Sequence, residues 1–143
     1  MKPSLLSLID AGPLVAYFDR ADDWHEEATA FISSFKGQFV TSAPVITEVM
    51  WLLRADHRVQ NEFLRLVSAG IIYQEPLSAP DFGRIAELNA DYADLPADIA
   101  DLSLLVIAER RNISRILTLD NEFNHYRVKR GHRLAPLDLL AFS

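Results

Sequence analysis

Apolar residues fall along this chain in short blocks separated by longer amphipathic stretches, the rhythm of strands alternating with helices. Leu5 to Ile9 is a compact apolar run that predicts a buried strand, closed by Asp10-Ala11-Gly12-Pro13. Proline suits the first helical position, where a missing N–H leaves no hydrogen bond unmade, so a helix is expected from Pro13 to Phe18. The stripe of Trp24, Ala28, Phe31, Ile32 and Phe35 predicts a second helix through Phe35, capped by Asp22 or Asp23. Phe39 to Thr41 reads as a second strand. Ser42 then caps a helix that enters at Ala43-Pro44 and runs to about Arg54, and another covers Arg58 to Ala69 and stops at Gly70.

Ile71 to Gln74 is a third strand. Helices are expected from Pro80 to Tyr92 and from Ala97 to Asn112, with Pro96 at the break, and a strand from Ile116 to Leu119 ends in Asp120. The tail from Leu134 to Phe142 reads as a last strand or turn with a short helical end. This succession predicts an α/β fold, a mostly parallel sheet covered on both faces, with its functional rim at the carboxyl ends of the strands near a switch in strand order. Asp10 and Asp120 both follow predicted strands and so reach that rim. No repeat or linker-like tract divides the chain, and residues 1–143 are read as one domain.

Composition narrows the classes of function. Half of the 143 residues are hydrophobic, enough for a sizeable core without staples. Cysteine is absent, which removes disulfides and thiolate metal sites and suits a reducing compartment such as the cytoplasm. Asp10 interrupts the first apolar run too early for a signal peptide, and no segment approaches the roughly 20 apolar residues that span a bilayer. The net charge of −6 argues against nucleic acid, but its distribution does not. Seven acids and one base, Arg84, lie between Asp81 and Glu109, whereas seven bases face Asp120 and Glu122 between Arg110 and Arg133. Arg110, Arg111, Arg127, Lys129 and Arg130 are therefore compatible with an RNA-binding surface beside an acidic pocket, although solvated helix faces carry such runs too.

Four carboxylates stand out. Glu48 shares its helical face with Pro44, Val45, Trp51 and Leu52, all apolar, so a buried or half-buried setting is expected. The bland reading is a salt bridge to an arginine. Asp101 lies in the first turn of a helix and precedes Leu102, Leu104, Leu105 and Val106; compensation of the helix dipole is its ordinary explanation. Asp98 shares that face and reads as a cap, with a metal contact secondary. Asp10 and Asp120 could each merely begin a turn. Together, however, two strand ends, a helix start and a helix face can meet at one sheet edge. Two carboxylates about 4 Å apart repel by roughly 4 kcal/mol at an effective dielectric near 20. Such a cluster calls for protons or a cation, and an oxygen-only donor set selects Mg²⁺ or Mn²⁺. The glycines form no phosphate loop, no serine sits in a nucleophile elbow, and His25, His57, His125 and His132 lack zinc spacing.

Leu8-Ile9-Asp10-Ala11-Gly12-Pro13-Leu14-Val15-Ala16, Thr47-Glu48-Val49, Leu95-Pro96-Ala97-Asp98-Ile99-Ala100-Asp101-Leu102-Ser103-Leu104 and Leu117-Thr118-Leu119-Asp120 resemble, in order and at fitting distances, the PIN domain, and in particular its VapC-like toxins. The resemblance implies a three-layer α/β/α fold with four to five short strands. It also implies a Mg²⁺- or Mn²⁺-dependent endoribonuclease with Asp10, Glu48 and Asp101 as metal ligands and Asp120 completing the cluster, directly or through water. A homodimer silenced by a small antitoxin is the implied assembly, although a PIN nuclease of RNA maturation would carry the same site. Many members place Ser or Thr shortly after the first aspartate; Gly12-Pro13 stands here, so that hydroxyl is missing or supplied elsewhere. A receiver-like signalling module would want an aspartate after the central strand Ile71–Gln74, and a haloacid-type phosphatase would want Asp-x-Asp after the first; the chain has neither.

Overall fold

The computed structural model describes residues 5–95 and 97–142. Pro96, expected at the break between two helices, lies outside the described residues. Strands β1 (Leu6–Ile9), β2 (Gln38–Thr41), β3 (Ile72–Gln74), β4 (Arg115–Leu117) and β7 (Asp138–Leu140) form one sheet in the order β3-β2-β1-β4-β7, every pair parallel. Helices α1 (Ala11–Phe18), α2 (His25–Ser34), α3 (Ala43–Leu52), α4 (His57–Ser68), α5 (Ala79–Asp91) and α6 (Ile99–Arg111) flank the sheet. This is the α/β/α architecture expected from the alternation of elements.

Chain order places the functional rim. From β1 the chain moves outward to β2 and β3, then returns to lay β4 on the opposite side of β1. The direction of winding therefore reverses between β1 and β4, and a crevice opens there at the strands' carboxyl ends. Leu8 pairs with Ile116 and Ile9 with Leu117, so the two strands end side by side, and the Asp10 N–H donates to the Leu117 carbonyl at 3.0 Å.

Local chemistry explains most boundaries. Asp10, rather than Pro13, begins α1: its Oδ1 accepts from the Ala11 N–H at 2.8 Å, so the helix starts two residues before the proline. Ser42 caps α3 as expected. Gly70 adopts φ +77° after α4, and the Ile71 N–H donates to the Leu66 carbonyl while the Gly70 N–H donates to that of Val67, a Schellman closure. Asp22 does not cap α2; its carboxylate receives the Trp24 N–H in the turn before it. Three features depart from the expected order. Asn121–His125 form a 3₁₀ turn, β5 (Val128–Arg130) and β6 (Arg133–Ala135) make an antiparallel hairpin, and the tail ends in the edge strand β7, with no helical end among the described residues. The hairpin's two-residue loop opens with Gly131 at φ +66°, the mirror-image conformation tight hairpins require.

α6 passes through the middle of the core: Leu102, Ser103, Leu104, Leu105, Val106, Ile107 and Ala108 are all buried. α3 buries the single line Val45 and Val49, continued by Leu53 at its C-cap. The start of α3 is joined to α6 by Ser42 Oγ and Ser103 Oγ, 2.7 Å apart. Because Ser103 Oγ already donates to the Ala100 carbonyl, Ser42 is the donor of that bond.

Candidate active site

At the switch between β1 and β4, Asp10, Gly12, Glu48, Asp98, Asp101, Leu119 and Asp120 line a cavity of about 420 Å³. Four of these acids arrive on different supports. Asp10 continues β1 and caps α1, Glu48 stands in the middle of α3, Asp101 lies in the first turn of α6, and Asp120 heads the 3₁₀ turn beyond β4. All five acids singled out in the sequence thus share one pocket.

Their surroundings are unequal. Asp10 and Asp101 are each 8% exposed. Asp98 and Asp101 form a capping box: Asp98 Oδ1 accepts from the Asp101 N–H at 2.9 Å, and Asp101 Oδ2 accepts from the Asp98 N–H at 3.3 Å. Asp98 is thereby the helix cap the sequence indicates. Glu48 corrects an expectation. It is exposed, because the buried line of α3 runs through Val45 and Val49 while Trp51 and Leu52 face outward. Its carboxylate reaches the pocket as a rim, not from a core-facing side.

Asp120 stands three residues beyond the end of β4, and a residue the sequence reading passed over bridges the gap. Thr118 Oγ1 donates to Asp10 Oδ2 at 3.0 Å and accepts from the Asp120 N–H at 2.9 Å. One buried hydroxyl thus bonds both strand-end acids. The signal was Thr-x-Asp, a turn in which threonine bonds the backbone two residues on.

The electrostatics are those of clustered acids that raise one another's pKa. Burial, and then the charges of Asp98 and Asp10, push Asp101 up to about 7. Burial raises Asp10 as well, against the lowering bonds from Ala11 and Thr118. Desolvation at the pocket rim, and then the charges of Asp10, Asp98 and Asp120, raise Glu48. Asp10 and Asp101 stand at the N-terminal ends of α1 and α6, a placement that favours negative charge. Nearby, the hydroxyl of buried Tyr126 has no hydrogen-bond partner among the described residues; burial, then Asp101 and Asp120, raise its pKa, so it remains a neutral donor.

The donor set fits a hard divalent cation: carboxylate oxygens only, with like charges close enough to perturb one another. Among the described residues no group of three or more acids or histidines is closed around a metal position. The pocket is accordingly an open one.

The five basic residues proposed for RNA contact lie elsewhere, and none lines this pocket. Arg110 donates to Glu75, Asp81 and the Pro76 carbonyl, and Arg111 pairs with Glu75. Arg130 bonds the Ala108 and Ile113 carbonyls, and Arg127 bonds those of Asn124 and Tyr126. Lys129 is exposed, and its backbone N–H donates to Glu109. Arg110 lies nine residues along α6 from Asp101, about 14 Å at 1.5 Å rise per residue. The sequence asymmetry is real, but four of these five cations are already bonded within the fold.

Residues 7–129 match the PIN domain. Over 115 residues the chain is 31% identical to Ribonuclease VapC26 of Mycobacterium tuberculosis, covering 79% of this chain and 85% of that protein. Among solved structures it resembles Mycobacterium tuberculosis VapC20, described as a sarcin-ricin loop cleaving toxin, with TM-score 0.77 and 18% identity over 84% of this chain and 93% of that one. It also resembles VapBC2 of Rickettsia felis bound to a DNA fragment from its promoter, with TM-score 0.64 and 15% identity over 95% of this chain and 98% of the other. The chain belongs to the PIN-domain family, among its VapC-like members. No helix among the described residues is long and apolar enough to cross a membrane.

Proposed function

We propose that this chain is a Mg²⁺- or Mn²⁺-dependent endoribonuclease, one nuclease domain acting as the toxin of a type II toxin–antitoxin pair. The observation that carries the reading is the set of four carboxylates (Asp10, Glu48, Asp101 and Asp120) delivered by four separate elements to the switch crevice, with no basic side chain lining it among the described residues. Similarity to a VapC ribonuclease supports the toxin role, and likeness to a VapBC assembly supports a small antitoxin as partner.

Asp10, Glu48 and Asp101 would hold the cation, with Asp120 contributing through a water. When bound, the divalent ion supplies charge neutralisation at the phosphate and a water acidic enough to act as nucleophile. The chain's own groups set the geometry. Thr118 holds the carboxylate of Asp10, and the Asp98 N–H holds one oxygen of Asp101, which leaves Asp101 Oδ1 directed to other use. The Ser42–Ser103 bond keeps α3, and with it Glu48, in register with α6. Pairing of two copies, which the family resemblance implies, would have an apolar face available where Ala43, Pro44, Leu77, Phe82 and Ile99 line an open hollow.

The test is cleavage of a labelled RNA by purified protein with Mn²⁺, with Mg²⁺ and with chelator, beside Asp10→Asn. Metal-dependent cleavage that the substitution abolishes is expected. Cleavage that persists in chelator, or in Asp10→Asn, would remove the assignment.

A further inference from the structure

On the reading of the site as a ribonuclease, we propose that Trp51 and Arg54 form a stacking platform for an unpaired RNA base beside the scissile phosphate. Trp51 is 62% exposed although it is one of two tryptophans in the chain. It sits three residues after Glu48 on α3, so the two share a helix face, and side chains on a helix lean toward its N-terminus, which carries the indole back over the Glu48 turn. A large aromatic surface thus lies in solvent one helical turn from a candidate metal ligand.

The ring is also held in place. The Arg54 guanidinium carbon lies 3.8 Å from the indole ring centroid, and Arg54 Nη1 donates to the Trp51 carbonyl at 2.9 Å. Among the described residues Arg54 forms no salt bridge with a carboxylate. It differs in this from Arg84, Arg110 and Arg111, whose charges are neutralised by acids. The pair therefore presents a planar aromatic and a planar cation without a carboxylate partner among the described residues, one helical turn beyond Glu48 on the rim of the acidic pocket.

Single-stranded RNA is the ligand whose chemistry matches both halves. Its bases stack on aromatic rings and on guanidinium planes without needing a particular sequence, and its phosphates are attracted by the unneutralised arginine. A paired base could not use the platform, because its faces are already occupied within the duplex. The platform accordingly favours a loop or an unpaired strand at the cleaved bond, and would set which nucleotide flanks it.

The experiment crosses protein and base. A short labelled single-stranded oligoribonucleotide that the native protein cleaves is prepared intact and with an abasic residue at each position flanking the cut. At one position the abasic residue should lower kcat/KM for native protein by about tenfold or more. Trp51→Ala should show the same loss on intact RNA and no further loss on that abasic RNA, and Trp51→Phe should recover part of the rate. Arg54→Ala should weaken cleavage and flatten its salt dependence. Equal slowing of intact and abasic RNA by Trp51→Ala, no slowing at all, or a change in oligomeric size with Trp51→Ala would overturn the platform. The last result would make the indole a protein contact. Failure of the native protein to cleave any RNA in a metal-dependent manner would instead defeat the nuclease reading on which the platform stands.

Discussion

The two ends of α6 treat buried acids in opposite ways. At its C-terminal end, Glu75 and Asp81 are 7% and 5% exposed, as buried as Asp10 and Asp101 at the other. Arg110 approaches Glu75 at 2.6 Å and Asp81 at 3.0 Å, and Arg111 joins Glu75. Burial alone would raise Asp81, but the Ser78 N–H and Arg110 bring it below the ordinary carboxylate range. At the N-terminal end burial is reinforced by more acids, and Asp101 rises to about 7. The same fold thus shows what these acids look like when they are structural: each is paired with an arginine. The acids around the cavity at the switch point of the sheet have no such arginine among the described residues, and that difference supports the proposed cation site.

The largest expected effect breaks the unpaired end. Asp10→Asn, Glu48→Gln and Asp101→Asn should each lower metal-dependent RNA cleavage by on the order of a hundredfold or more, and double substitutions should add little, because ligands of one ion act as a unit. Asp120→Asn should be partial. Asp98→Asn should be mildest, since asparagine caps a helix as well as aspartate does. Purified variants of native circular dichroism, assayed on one labelled RNA, check the order. Full activity in Glu48→Gln would leave its place on the rim without a purpose.

Breaking the paired end should do the reverse. Arg110→Ala leaves buried Asp81 without its arginine and Glu75 with Arg111 alone, and should cost about 1–3 kcal/mol of stability in urea, less than a fully buried pair because the guanidinium is partly exposed. Activity per folded molecule should stay near native. A loss of cleavage matching that of Asp101→Asn would erase the distinction between the two ends.

The fold was largely legible in the sequence, for reasons particular elements make plain. β1, β2 and α6 are buried runs, and Ser42 and Asp98 cap α3 and α6, so there pattern and punctuation agree, whereas Asp10 caps α1 two residues before the expected start at Pro13. The hairpin of β5 and β6 was not legible. Its strands are three residues each, rich in arginine and lysine and mostly exposed, and they leave no period to read. The site was legible as residue types at strand and helix ends. The exposure of Glu48 was not, because a helix can bury one line of side chains, here Val45 and Val49, and leave apolar neighbours in solvent. Thr118 escaped because its importance lies in a bond to Asp10, 108 residues away.

A smaller effect sharpens the comparison at Thr118. Thr118→Val keeps the shape and removes the hydroxyl between Asp10 and Asp120, so cleavage should fall by about tenfold and stability by roughly 1 kcal/mol. Thr118→Ser should restore most of both. Steady-state kinetics and thermal melts of the two variants separate loss of the bond from loss of the methyl group.

pH and metal together reach the central claim, that the acids at this end of α6 await a cation. An acid whose folded pKa is raised contributes stability below its unfolded value and loses it as pH rises through the folded one. In chelator, the melting temperature should therefore fall between about pH 4 and pH 7 as Asp101 ionises beside Asp98 and Asp10. Asp101→Asn should flatten that fall and melt higher than native protein near neutral pH. The most direct measurement is the melting temperature of native protein and Asp101→Asn near pH 7.5, with chelator and with millimolar Mn²⁺ or Mg²⁺. A rise of several degrees in the native protein, greatly reduced in Asp101→Asn, is the expected result. Native protein that melts at the same temperature with and without either cation would contradict the account.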